Sequence, residues 1–92
     1  MAIADGLRTV EVGGGPMMVS DLAGRPVVSD SPTWIRVSLE AGGLEIARRR
    51  VDGLRLAPAA TGALRLGGRE YPGALEILHA PEGILVVNEL PL

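Results

Sequence analysis

The amino-acid sequence predicts an all-β fold, a small barrel or sandwich of roughly 7–9 short, mostly antiparallel strands. Three observations carry this. Apolar and polar residues alternate along short segments, and turn residues separate those segments at nearly regular intervals. Thirteen glycines and seven prolines in 92 residues break the chain too often for long helices.

Alternation is clearest from Trp34 to Glu40, where Ile35, Val37 and Leu39 share one face and Arg36, Ser38 and Glu40 the other. Shorter versions occur at residues 7–12, 16–20, 44–47, 54–56 and 64–66. Leu44, Leu54 and Leu64 are ten residues apart with turn residues between them, a spacing typical of successive strands. Gly67-Gly68 lies between two such segments and predicts a two-residue hairpin. Pro81-Glu82-Gly83 predicts a second hairpin, joining residues 74–79 to 84–90. Residues 44–51 form the one helix-permissive stretch, but Gly42-Gly43 and Asp52-Gly53 at its borders favour a short strand. Ile84-Leu85-Val86-Val87 is apolar on both faces, so this strand is expected to be covered on both sides.

Composition then narrows the chemistry. Residues 1–92 fit one β domain, with no room for a second core. The absence of cysteine excludes disulfides and thiolate metal sites, and the single histidine, His79, cannot build an ordinary zinc site. No metal and no cofactor is expected. Net charge is −2, with nine arginines and no lysine, which argues against a nucleic-acid partner. No apolar run approaches the ~20 residues of a membrane span, so no membrane insertion is expected. The first residues lack the basic and apolar regions of a signal peptide.

One stretch is more distinctive. Leu66-Gly67-Gly68-Arg69-Glu70-Tyr71-Pro72-Gly73-Ala74-Leu75-Glu76-Ile77 is followed by Gly83-Ile84-Leu85-Val86-Val87-Asn88-Glu89-Leu90-Pro91-Leu92. This pattern resembles the stage II sporulation protein D / amidase enhancer (SpoIID/LytB) family. The resemblance covers the C-terminal third of the chain; the first two thirds are compatible with it but add little motif signal. It implies a peptidoglycan-related protein on the extracytoplasmic, cell-wall side. In that family the Asn-Glu-Leu-Pro-Leu stretch leads into an acidic-aromatic helix, and the catalytic glutamate of the lytic transglycosylases lies beyond it. Residues 1–92 then correspond to the N-terminal β part of such a domain, truncated before the catalytic helix. No residue here matches the catalytic glutamate, and Glu89 matches a non-catalytic motif position. The metal-binding residues of some members have no counterpart.

Four residues stand out as possible glycan or domain contacts: Trp34, Tyr71, Asn88 and Glu89. Trp34 and Tyr71 are the only aromatics. An exposed tryptophan can stack on a sugar ring, but with so few platforms a core-edge or domain-contact role is favoured for Trp34. Asn88 either orders a groove and caps the helix that would follow, or bonds nearby backbone groups; the second is favoured. Arg48-Arg49-Arg50 reads as a solvated turn. Gly13-Gly14-Gly15-Pro16 is a turn, since no Lys-Ser/Thr follows to make a phosphate loop. His79 closes a strand without a Ser/Asp partner, and Met17-Met18 reads as core. Asp5, Glu11, Asp21, Asp30, Glu40 and Glu45 read as solvent-facing, and no spacing singles out a glycosidase-like carboxylate pair.

The favoured expectation is a non-catalytic structural domain of a SpoIID-like cell-wall protein. A free-standing module binding peptidoglycan glycan strands or a cell-wall amidase is the alternative, with weak affinity expected for isolated glycan. Transglycosylase activity is expected only of a parent protein that continues past Leu92. Self-association through the segment from Ile84 to Leu92 is expected from its apolar character.

Overall fold

The computed structural model describes residues 2–59 and 62–89. The elements, in chain order, are β1 (Ala2–Leu7), β2 (Thr9–Gly13), β3 (Met17–Asp21), β4 (Pro26–Val28), β5 (Ile35–Glu40) and β6 (Gly43–Ile46). They continue with β7 (Arg49–Val51), β8 (Gly53–Pro58), β9 (Ala63–Leu66), β10 (Arg69–Pro72), β11 (Ala74–Ala80) and β12 (Gly83–Glu89). Two six-stranded antiparallel sheets result, in the orders β1-β12-β11-β8-β3-β4 and β10-β9-β2-β5-β6-β7. The fold is all-β, and the two sheets do not close into a barrel.

Both sheets turn one face inward onto a single core. The first contributes Met17, Val19, Leu54, Leu56, Leu75, Ile77, Ile84 and Val86; the second contributes Val10, Val12, Ile35, Val37, Leu44, Ile46 and Leu64. The alternation expected for β5 holds at its start, with Ile35 and Val37 buried and Arg36 exposed. No aromatic ring belongs to the fully buried set, so the core is filled by aliphatic side chains and Met17.

Twelve strands appear among the described residues where roughly 7–9 were expected, and the surplus has identifiable sources. Residues 7–12 are not one strand, because the chain breaks at Arg8 between β1 and β2 and crosses from one sheet to the other. Residues 44–51 are not one strand either. They form the β6–β7 hairpin, with Ile46 opposite Arg49 and a two-residue loop of Ala47 and Arg48. Both loop residues have positive φ, 49° and 65°, a conformation usually assigned to glycine or asparagine. The two expected hairpins form in register: Leu66 faces Arg69 across Gly67-Gly68, and Ala80 faces Gly83 across Pro81-Glu82.

Two further expectations are corrected. Met17 is core, but Met18 is 58% exposed, because adjacent residues in β3 point to opposite faces. The three arginines do not form one solvated turn. Arg48 occupies the turn, Arg49 and Arg50 lie in β7, and Arg49 Nη1 donates to the Val27 carbonyl at 2.9 Å. That bond latches β7 of one sheet to β4 of the other.

β12 lies between β1 and β11, an interior position. Ile84 and Val86 are fully buried in the chain's own core, while Leu85 and Val87 sit half-buried on the opposite face. Ile84 and Val86 face inward, so among the described residues Leu85 and Val87 are the apolar side chains this segment leaves part-exposed for association, and Leu90, Pro91 and Leu92 lie outside the described residues. β1 pairs with β12 through two register shifts, so this edge strand is bulged rather than flat, a form that resists edge-to-edge pairing.

Candidate functional site

At the margin opposite the Arg49 latch the two sheets part. β9 pairs with β2 only at Val12 and Gly13, so Thr9, Val10 and Glu11 have no strand partner on that side among the described residues. β9 and β10 then rise as a hairpin away from β2. Between this hairpin and β1 lies an open groove of about 630 Å³.

The groove gathers both aromatics, Trp34 and Tyr71, with the arginines Arg65 and Arg69 and one carboxylate, Glu11. Trp34 precedes β5 and is 56% exposed; it takes no part in the core, so the core-edge role expected for it does not hold. Its indole lies against bare backbone. A methyl group on Gly13 would stand 3.7 Å from Trp34 Cδ1, so a larger side chain there would push the ring away. Tyr71 is half-buried and packs one side against the core, leaving the other side to the groove. Gly67 and Gly68 complete the lining, and no atom lies within 4 Å of where their Cβ atoms would be.

Asn88 and Glu89 are not part of this groove. Asn88 is 8% exposed, and its Nδ2 donates to the carbonyls of Pro72 at 2.9 Å and Ala74 at 3.1 Å. These carbonyls flank Gly73, where the chain turns from β10 of one sheet into β11 of the other at φ 82°. The side chain therefore pins an inter-sheet corner.

Glu89 points out from the first sheet, where Arg55 Nη2 meets its Oε2 at 3.2 Å. This is the single ion pair among the described residues, and its exposure to water makes it a weak one. A hydrogen bond with Glu89, reinforced by burial, raises the Glu76 carboxyl above its ordinary value of 4.5. The same bond, helped by Arg55, lowers Glu89 below it. Glu76 and Glu89 are half-buried on the outer face of the sheet, and Arg55 also lines a neighbouring cavity with Met18, Ser20 and Ala57.

Sequence reasoning missed this pair, although the hairpin register contained it. With Ala80 opposite Gly83, Glu76 falls opposite Val87 and Glu89 opposite Ala74, which puts the carboxylates on one face as diagonal neighbours. Arg55 was not foreseeable, since it arrives through the long-range pairing of β8 with β11.

The pair should titrate as a unit with one proton held between its two steps. Stability from protonated Glu76 is present below 4.5 and is lost as pH rises through its raised folded value. Stability from ionised Glu89 is present above 4.5 and is lost as pH falls through its lowered value. Carboxyl-carbon NMR should find Glu76 titrating above Glu89. In Glu89→Gln, whose amide can donate to Glu76, the Glu76 value should fall. Two coincident titrations would contradict the pairing.

Among the described residues no three histidine, aspartate or glutamate side chains gather as metal ligands. His79 is exposed on β11. Asp21 organises its own loop, its Oδ1 accepting from the backbone N–H groups of Ala23 and Arg25, each at 2.9 Å. Comparison with protein-family models, with curated proteins and with solved structures returns no match.

Proposed function

We propose that this chain is a non-catalytic β scaffold of a cell-wall protein of the SpoIID/LytB kind, placed on the extracytoplasmic side. The reading rests on the motif residues from Leu66 to Glu89, and what supports it is how those residues are used. Leu75 and Ile77 fill the core, Gly67-Gly68 makes a hairpin loop, and Gly73 makes the corner between the sheets. The observation that carries the reading is Asn88. The buried polar residue of the motif donates from Nδ2 to the Pro72 and Ala74 carbonyls, the backbone of that corner.

The carboxylates fit the same reading. General-acid chemistry on a glycosidic bond needs a carboxyl group facing a bound sugar, with a second carboxylate in many enzymes to stabilise the cation or activate water. Glu76 and Glu89 sit on an open sheet face tied to Arg55, and Glu11 is the sole carboxylate in the groove.

The purified chain, incubated with peptide-stripped peptidoglycan, should release no anhydro-sugar products above a buffer control. Released product would overturn the non-catalytic reading. Sequencing the parent gene tests the scaffold role itself: a frame running past Leu92 into an acidic-aromatic helix supports it, and a stop codon directly after Leu92 counts against it.

A further inference from the structure

We infer that the groove between β1 and the β9–β10 hairpin takes an extended acidic peptide of a partner protein, added as a strand to the free edge of β2. This goes beyond the scaffold reading and does not depend on it.

The backbone comes first. The Leu39 N–H donates to the Arg8 carbonyl at 2.8 Å, one step beyond the β2–β5 ladder and in register with it. Bonded pairs alternate along an antiparallel ladder, so Val10 and Val12 direct their N–H and C=O groups at β5. Thr9 and Glu11 direct theirs to the other side, where β9 pairs only with Val12 and Gly13. Among the described residues their N–H groups and carbonyls have no strand to bond there. The track beside them is open. β9 turns out of it at Gly67-Gly68, and no atom lies within 4 Å of either Cβ position.

The outer strands are blunted, as natural sheet edges usually are. β1 is bulged, and β4 begins with Pro26 and gives its Val27 carbonyl to Arg49. β10 closes on Pro72, and β7 carries two arginines. A second copy of this chain therefore has no clean outer strand to lay beside β2, whereas a partner's extended segment can fill the track.

Side chains decide what kind of strand fits. A peptide running antiparallel to β2, as β9 does, alternates its residues between the two faces. Its inward residues meet Leu7, Leu66 and Tyr71, which are half-buried against the core, so apolar side chains suit those positions. Its outward residues lie opposite Thr9 and Glu11, both exposed. Charge selects these. The chain as a whole carries −2, yet the ionisable side chains lining the groove are Arg65, Arg69 and Glu11, a local balance of +1. The single ion pair among the described residues is that of Arg55 with Glu89, so neither groove arginine has a carboxylate partner. A guanidinium presents a planar fork that matches a carboxylate in two parallel bonds, and acidic residues suit the outward positions.

The test titrates the full chain with a capped heptapeptide of alternating glutamate and valine, read by amide NMR at low salt. Shifts should fall in β2, β9 and β10 and should saturate. The lysine–valine counterpart should bind about tenfold or more weakly. Arg69→Gln, a surface change, should narrow that gap, and Glu11→Gln should tighten the glutamate peptide. Backbone pairing has its own readout. In the antiparallel arrangement the residues opposite Thr9 and Glu11, which are the glutamates, donate to β2. N-methylation of the glutamate amides should therefore abolish binding, and N-methylation of the valine amides should leave it within about threefold. Equal affinity for the two charges, loss with both methylation patterns or with neither, shifts elsewhere, or shifts still linear at the highest concentration would overturn the inference. So would the same shifts on concentrating the chain alone, which would give the edge to a second copy.

Discussion

Gly83→Ala is expected to destabilise the domain by about 3 kcal/mol or more, a large fraction of the roughly 5–15 kcal/mol that holds a typical domain folded. Gly83 opens β12 at φ 137°, a backbone region that side chains rarely enter. A Cβ there would also stand 2.7 Å from the Leu7 carbonyl oxygen and 2.9 Å from the Gly6 carbonyl carbon. Both are backbone atoms at the end of β1, so no side chain can swing aside to make room. Relief would require β1 to move away from β12, although Leu7 is packed against the core. Gly68→Ala is the natural control. Its φ of 83° is also positive, but nothing lies within 4 Å of the added methyl, so about 1 kcal/mol is expected from conformation alone. Urea denaturation of the two variants separates the terms. A Gly83→Ala protein within about 1 kcal/mol of wild type would mean that β1 is free to shift and that the β1–β12 contact contributes little.

This contrast shows which parts of the fold are legible in a sequence. Gly67-Gly68 announces a turn, and the turn forms there because two adjacent glycines tolerate positive φ without cost. Ala47-Arg48 gives no such signal. It adopts positive φ because β6 and β7 are held by their ladder and by the bond from Arg49 to Val27, a long-range constraint that overrides local preference. The break at Arg8 was hidden for a similar reason. Alternation runs on through residues 7–12, and only the demands of two separate sheets divide it.

The groove was half legible. Trp34 and Tyr71 attract notice by being the only aromatics, but they lie far apart in sequence, on elements that meet only through the β9–β2 and β2–β5 pairings. Arg65 and Arg69 flank the Gly67-Gly68 turn with no local pattern to set them apart. Their significance comes from where β9 leaves β2, and no local pattern encodes that point. Glu89 drew attention through its motif position, yet its partner Arg55 is 34 residues away on another strand.

Asn88 is the second position where a large effect is expected, and its two substitutions should differ in a diagnostic way. Asn88→Ala removes a donor that serves the Pro72 and Ala74 carbonyls at once, at a residue only 8% exposed. Leaving buried carbonyls without their partner should cost about 2–3 kcal/mol. Asn88→Asp preserves the shape and should be worse at neutral pH. Its carboxylate would face two carbonyl oxygens, cannot donate to them, and would be held away from water. The aspartate pKa in the folded state is therefore expected to rise above its unfolded value. A raised pKa means that the variant's stability is greatest at low pH and is lost as pH rises through the folded value. Protonated aspartic acid can donate one hydrogen bond, so Asn88→Asp should regain stability relative to Asn88→Ala as pH falls below about 5. Parallel urea unfolding of the two variants at pH 7 and pH 4 measures this crossing. If Asn88→Asp matches wild type at pH 7, the side chain does not hold the corner at Gly73. Its place in the motif would then need a role outside the fold, and the scaffold reading would lose the observation that carries it.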